Sequence, residues 1–227
     1  MRAGEHADLE VAASLMLGAH TLKVGEYVLV VIVGLALHAC ISLSIMVRLF
    51  GGMSPMTFWK KSRASIVTAF STSSSNATLP LTMKRCEEQL GVPKEISSFV
   101  LPLGATVNMD GTSLYQAVAA VFIAQTFGMD LSLGAQLGII VTATLASIGS
   151  AAVPGAGMVM LVIVLAQAGI PEVGLALIFA IDRPLDMCRT TINVTGDATV
   201  AMIVAKMLGK LGVPKEERWD DRLEEVI

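Results

Sequence analysis

The sequence predicts an all-α membrane protein: transmembrane helices with two re-entrant helical hairpins in an inverted repeat, and helices partly unwound at the bilayer midplane. Three observations point there. The 227 residues are 54% hydrophobic and only 15% charged, with mean hydropathy +0.70, whereas a soluble domain carries about 25% charged residues. Polar and Gly-rich stretches interrupt the apolar runs at matched places. Basic residues fall in clusters, which sets sidedness.

The start, MRAGEHADLEVAASL, puts charged residues where the apolar core of a signal peptide would begin, so no cleaved leader is expected. The first span covers residues 24–50. Its centre, VLVVIVGLALHACISLSIMV at Val28–Val47, is long enough to cross a bilayer. His38 inside it has no partner nearby in sequence and is expected to be a tolerated interior residue. Arg48, Lys60, Lys61 and Arg63 then place the following loop in the cytoplasm.

Residues 62–90 form the first hairpin. Its middle, STSSSNATLP at Ser71–Pro80, is too polar to cross, and Pro80 should break the helix at that point. Lys84 and Arg85 return the chain to the same face. Residues 96–127 make a helix broken by NMDGTSLYQ, and residues 133–170 a second hairpin with the tip SIGSAAVPGAG. Residues 173–208 make another broken helix, interrupted by DRPLDMCRTTINVTGD. No Lys or Arg lies between Lys94 and Arg183; Lys206, Lys210 and Lys215 then fall on the cytoplasmic side, followed by a tail at 211–227. GVPKE recurs at 91–95 and 212–216 in two cytoplasmic connectors, by coincidence.

The order hairpin, then Asn-and-Gly break, thus occurs twice, once starting from each side. Inverted repeats with broken helices are the pattern of a secondary transporter with its site near the midplane. Rival classes find little support. A net charge of −3 suggests no nucleic-acid partner. Cys40, Cys86 and Cys188 are too scattered for a metal pattern and read as small buried hydrophobes. His6, His20 and His38 all precede the polar segments, so no nucleophile–base pair marks an enzyme.

Charges inside the apolar segments are expensive and therefore candidates for function. Asp110 in NMDGT and Asp197 in NVTGD lack a basic neighbour and suit a hard cation such as Na⁺; polar helix packing or a proton relay is the alternative. Asp186 and Arg189, three apart, share a helix face. They can clamp a zwitterion, Asp186 taking an ammonium and Arg189 a carboxylate, or form a salt bridge that only holds the fold. Asp182 and Arg183 open this helix and are read as structural.

SSSNATLP, LPLGATVNMDGTSLYQ, ASIGSAAVPGAG and DMCRTTINVTGD resemble the signature segments of the dicarboxylate/amino acid:cation symporters, the glutamate transporter family. The resemblance runs over roughly residues 24–210, as a transport core. It implies that Ser74 and Ser75 give backbone contacts to a substrate carboxylate. Thr112 and Arg189 would hold the side-chain carboxylate, Asp186 and the Val153 carbonyl the amino group. Gly157, Thr190 and Asn193 would also face substrate. One sodium ion would take Asp197 with the backbone of Gly104, Asn108 and Asn193. A second would take the backbone of Thr106, Ser147, Ile148 and Ser150. A third would take Asp110 and the Asn108 side chain.

Having both Asp186 and Arg189, the chain resembles carriers of aspartate or glutamate more than neutral amino acid or C4-dicarboxylate carriers. Positions that are arginine in some relatives are Ser73 and Met187 here. The resemblance further implies Na⁺ as the co-transported ion and an elevator-like movement of the core. It implies a lipid bilayer around the protein, a homotrimer where scaffold helices are present, and the plasma membrane of a bacterium or archaeon. Family members are about twice as long, so residues 1–23 are expected to be the remnant of a scaffold helix and the chain to be truncated. A C4-dicarboxylate/H⁺ symporter and a non-transporting ligand-binding fragment are the rival readings.

Overall fold

The first described element, α1 (Lys23–Gly51), is one continuous helix of 29 residues whose most apolar 18-residue stretch has mean hydropathy 2.6. It is the one described helix long and apolar enough to cross a membrane. The computed structural model describes residues 23–213. His6, His20, Lys215, and most of the expected N-terminal segment and tail lie outside the described residues. Along α1, Tyr27, Val31, Leu35, Ala39, Leu43 and Val47 are buried every fourth residue, while Leu29, Leu37, Ile41 and Leu49 are exposed. That is one inward helical stripe and one outward apolar face, stable only against lipid or another apolar surface.

Every described element is helical, with no strand among the described residues. Helices α2 (Pro55–Thr72) and α3 (Ser75–Gln89) pack against each other across a turn at Ser73–Ser74. Ser73 takes a left-handed conformation, φ 51°, and Ser74 caps α3 by accepting from the Ala77 amide at 3.2 Å. The helix pair begins at residue 55 rather than 62. Pro80 does not end it but lies inside α3. The proline removes a single helical hydrogen bond, to the Asn76 carbonyl, and packing of α3 against α2, α4 and α9 keeps the helix whole.

Helices α4 (Lys94–Val107) and α5 (Asp110–Thr126) are separated by two non-helical residues, Asn108 and Met109. The expected break at NMDGT is therefore present. Helices α6 (Leu133–Ile148) and α7 (Ala156–Gln167) pack together around an irregular tip that ends on Gly155, φ +78°. After a short turn and α8 (Leu175–Phe179), α9 (Asp182–Met207) closes the fold.

Here the structure corrects the sequence: α9 is not unwound at NVTGD. It runs for 26 residues, and the break lies before it at Ala180–Ile181. The polar side chains find partners along the helix itself. The hydroxyls of Thr191, Thr195 and Thr199 donate to the carbonyls of Met187, Thr191 and Thr195 at 3.0, 2.7 and 2.9 Å. A sequence rich in Thr, Asn and Gly thus stays helical because each hydroxyl bonds one turn back and the helix is enclosed. It packs against α1, α2, α3, α4, α5 and α8.

The two GVPKE copies are in contact, not merely alike. The Gly212 amide donates to the Gly91 carbonyl at 2.8 Å, and Lys210 Nζ meets Glu95 Oε1 at 2.7 Å. Residues 214–216 of the second copy lie outside the described residues.

Candidate functional site

Two helix-to-helix tips meet beside the middle of α9. Ser74 Oγ donates to the Ala152 carbonyl at 2.8 Å, and the Asn76 amide donates to the same oxygen at 3.3 Å. Between the tips, α5 and α9 lies a small cavity of about 10 Å³, the space of roughly one water. Its wall includes Ser73, Ser75, Thr112, Ser150, Asp186 and Arg189. Val153, Gly157, Thr190 and Asn193 line it as well, so the expected substrate residues converge, Ser74 joining the tips at its edge.

Arg189 is the centre of this site. It is 1% exposed. Its Nε donates to Asp186 Oδ1 at 2.9 Å and its Nη1 to Asp182 Oδ1 at 3.0 Å. Its guanidinium carbon lies 4.0 Å from the centre of the Tyr115 ring, an attractive cation–π placement. Nη2 alone has no hydrogen-bond partner. It points toward Gly157, where an added Cβ would come within 3.2 Å of it. Asp186 and Arg189 thus pair with each other. Asp186 Oδ2 also accepts from the Gly155 amide at 2.8 Å, tying the second tip to α9. Asp182, read as structural from its place at the helix start, is a partner of Arg189. Only its seven-residue offset, two helical turns, hinted at this.

Asn193 fastens the break. Its Oδ1 accepts from the Gly111 amide at 2.8 Å, and its Nδ2 donates to Thr112 Oγ1 at 3.0 Å. Gly111 must be glycine, since a Cβ there would meet the Arg189 carbonyl at 2.5 Å. Gln116, invisible as a site residue in sequence, donates from Nε2 to the Gly157 carbonyl at 2.9 Å.

The expected sodium ligands divide into three groups. Asn108 Nδ2 donates to Asp197 Oδ1 at 3.1 Å, and that carboxylate lies so close to Gly104 that a Cβ would stand 2.6 Å from it. Gly104, Asn108 and Asp197 are thus neighbours, with Asn193 one turn back on α9. Asp110 is not solitary: its Oδ2 lies 3.1 Å from His38 Nε2. His38, expected to be a bystander, touches the acid that opens α5. Ser147 and Ser150 are buried and share a backbone hydrogen bond of 3.1 Å. Thr106 and Ile148 are exposed, and α4 packs against α6. Among the described residues no three His, Cys, Asp or Glu side chains gather as a metal cluster. A larger groove of about 550 Å³ lies between α1, α5 and α6, with Val30, Val118, Phe122 and Ile140 in its wall. It holds none of these site groups.

The site is thus a small polar cavity among helices, with an enclosed arginine and two touching tips. The sequence profile of the sodium:dicarboxylate symporter family matches residues 10–207, and the chain belongs to that family. Membership of that family makes it an integral membrane protein. It is 49% identical over 188 residues to excitatory amino acid transporter 3 of Mus musculus, covering 83% of this chain and 36% of that protein. It is 51% identical over 182 residues to excitatory amino acid transporter 1 of Rattus norvegicus, covering 80% and 34%. The human excitatory amino acid transporter 1 is 49% identical over the same length. The chain spans about a third of the length of these curated relatives. These relatives are animal proteins and give no support to the expected bacterial or archaeal membrane.

Proposed function

We propose that this chain is the substrate-carrying core of a Na⁺-coupled symporter for an acidic amino acid, aspartate or glutamate. The observation that carries the reading is Arg189: a fully enclosed guanidinium, held by two carboxylates, with Nη2 unpartnered beside the cavity. A carboxylate is the natural partner for that nitrogen, because a hydrogen bond between ionised groups is stronger than one between neutral groups. Opening of the second tip breaks the Gly155–Asp186 bond and frees Asp186 for the substrate ammonium, with the Val153 carbonyl beside it. Thr112 and Arg189 then take the side-chain carboxylate. Ser75 and Asn193 take the α-carboxylate at the first tip, with Gly157 and Thr190 completing the wall.

Sodium enters at Asp197 with Gly104, Asn108 and Asn193, and at Asp110 with Asn108. A further ion binds the backbone of Thr106, Ser147, Ile148 and Ser150. Cations there favour the closed tip, so ion binding and substrate binding shift the same equilibrium. The tips act as re-entrant hairpins of an inverted repeat, and the core moves across the bilayer as one body. A scaffold beyond the described residues, trimeric in assembly, would hold it. The names of the relatives favour this reading over a C4-dicarboxylate/H⁺ symporter, which has no use for Asp186.

The test is uptake or binding of radiolabelled aspartate by the purified protein in proteoliposomes, with and without sodium. Sodium-dependent aspartate signal that disappears in Arg189→Ala supports the reading. Signal unaffected by that substitution, or succinate handled independently of sodium, rules it out.

A further inference from the structure

Resting on the proposed sodium site at Asp110, we infer that His38 is the positioning residue of that site. Its Nε2 lies 3.1 Å from Asp110 Oδ2, across 72 positions of sequence. Both side chains are partly buried, 24% and 31% exposed, so neither simply trails into solvent. The backbone around His38 is unusual as well. The helix widens to π geometry over His38–Leu43, and such bulges are rare and concentrate at functional sites. The first widening of α1 begins at the histidine, and a second lies at Val47–Gly51.

The other side of Asp110 faces α9. A Cβ at Gly196 would stand 3.4 Å from Asp110 Oδ2 and 2.9 Å from Asn108 Nδ2. Oδ2 is thus held between α1 and α9, next to the amide that serves Asp197. With its proton on Nε2, the imidazole donates to Oδ2, fixes the carboxylate rotamer and leaves Oδ1 for a cation. Outer partners of this kind set ligand orientation, and their loss typically weakens metal affinity about 10- to 100-fold.

The experiment is a sodium titration of radiolabelled aspartate binding by the full chain in detergent. His38→Ala raises the half-saturating sodium concentration about tenfold or more, while maximal binding at saturating sodium is kept. His38→Gln, which presents an N–H near the Nε2 position, restores most of the sodium affinity. His38→Leu, which keeps the ring's bulk without the donor, behaves like His38→Ala and replaces it if the alanine variant fails to fold. Unchanged sodium dependence in both His38→Ala and His38→Leu overturns the positioning role. So does a His38→Gln protein as impaired as they are. Wild-type aspartate binding that ignores sodium is a different result: it removes the sodium site itself, and the inference with it.

Discussion

Ser74 Oγ donates to the Ala152 carbonyl at 2.8 Å while accepting from the Ala77 amide at 3.2 Å. One hydroxyl therefore both starts helix α3 and fastens the first tip to the second. The two roles need the same rotamer, so the capping of a local helix is coupled to a contact 78 positions away. The Asn76 amide donates to the same Ala152 carbonyl at 3.3 Å, so two hydrogen bonds converge on one oxygen of the seam.

Ser74→Ala removes both bonds. A lost N-cap and a lost tertiary hydrogen bond together cost about 2 kcal/mol. The expected outcome is a lower thermal unfolding midpoint in detergent, with sodium recovering less of it than in the wild type. An unchanged midpoint would show that the seam contributes nothing to the closed state.

Gly157→Ala places a methyl 3.1 Å from Arg189 Cζ and Thr112 Cγ2. Arg189 cannot retreat, because Asp182, Asp186 and Tyr115 enclose it. Overpacking of this kind costs about 1–3 kcal/mol. Aspartate affinity should fall about tenfold, in a protein that still folds, as read by equilibrium binding and thermal unfolding side by side.

Arg189→Ala leaves Asp182 without its cation and Asp186 with only the exposed Arg183, 3.9 Å away. Breaking a buried pair costs about 3–5 kcal/mol. Removing Asp186 as well, in Asp186→Ala/Arg189→Ala, should restore part of the lost stability. A double-mutant cycle measures it; strictly additive losses would mean that the pair is not coupled.

Gly91→Ala tests the joint between the two GVPKE copies. Gly91 sits at φ +77°, and a Cβ there would meet the Gly212 carbonyl at 2.5 Å. Both the left-handed backbone and the close approach exclude a side chain. The variant should release the Gly212 amide, seen as faster hydrogen exchange at the end of α9 with little change in the tips. Protection equal to the wild type would show that the connectors are not held together by this bond.

Much of the outline was legible in the chain. A composition this apolar can be soluble in few places other than a membrane, and the interruptions at Ser71–Pro80, NMDGT and SIGSAAVPGAG marked two tips and one real break. The i, i+3 spacing of Asp186 and Arg189 put them on one helix face, which backbone geometry alone guarantees. NVTGD misled because Thr, Asn and Gly read as helix-breaking when judged locally. Whether they break a helix depends on whether each polar group finds a partner, and here the preceding turn supplies partners for the hydroxyls while Gly111 and Thr112 take up Asn193. The same reason explains His38, Asp182 and the GVPKE pair. Their partners, Asp110, Arg189 and Gly91, are chosen by packing, and sequence separation carries no record of that. The sequence by itself determined which residues are polar within an apolar chain, since that depends only on composition and period. The tertiary structure alone decided which of those polar groups face one another, because hydrogen bonds and ion pairs act over about 3 Å, a distance that only the packed helices define.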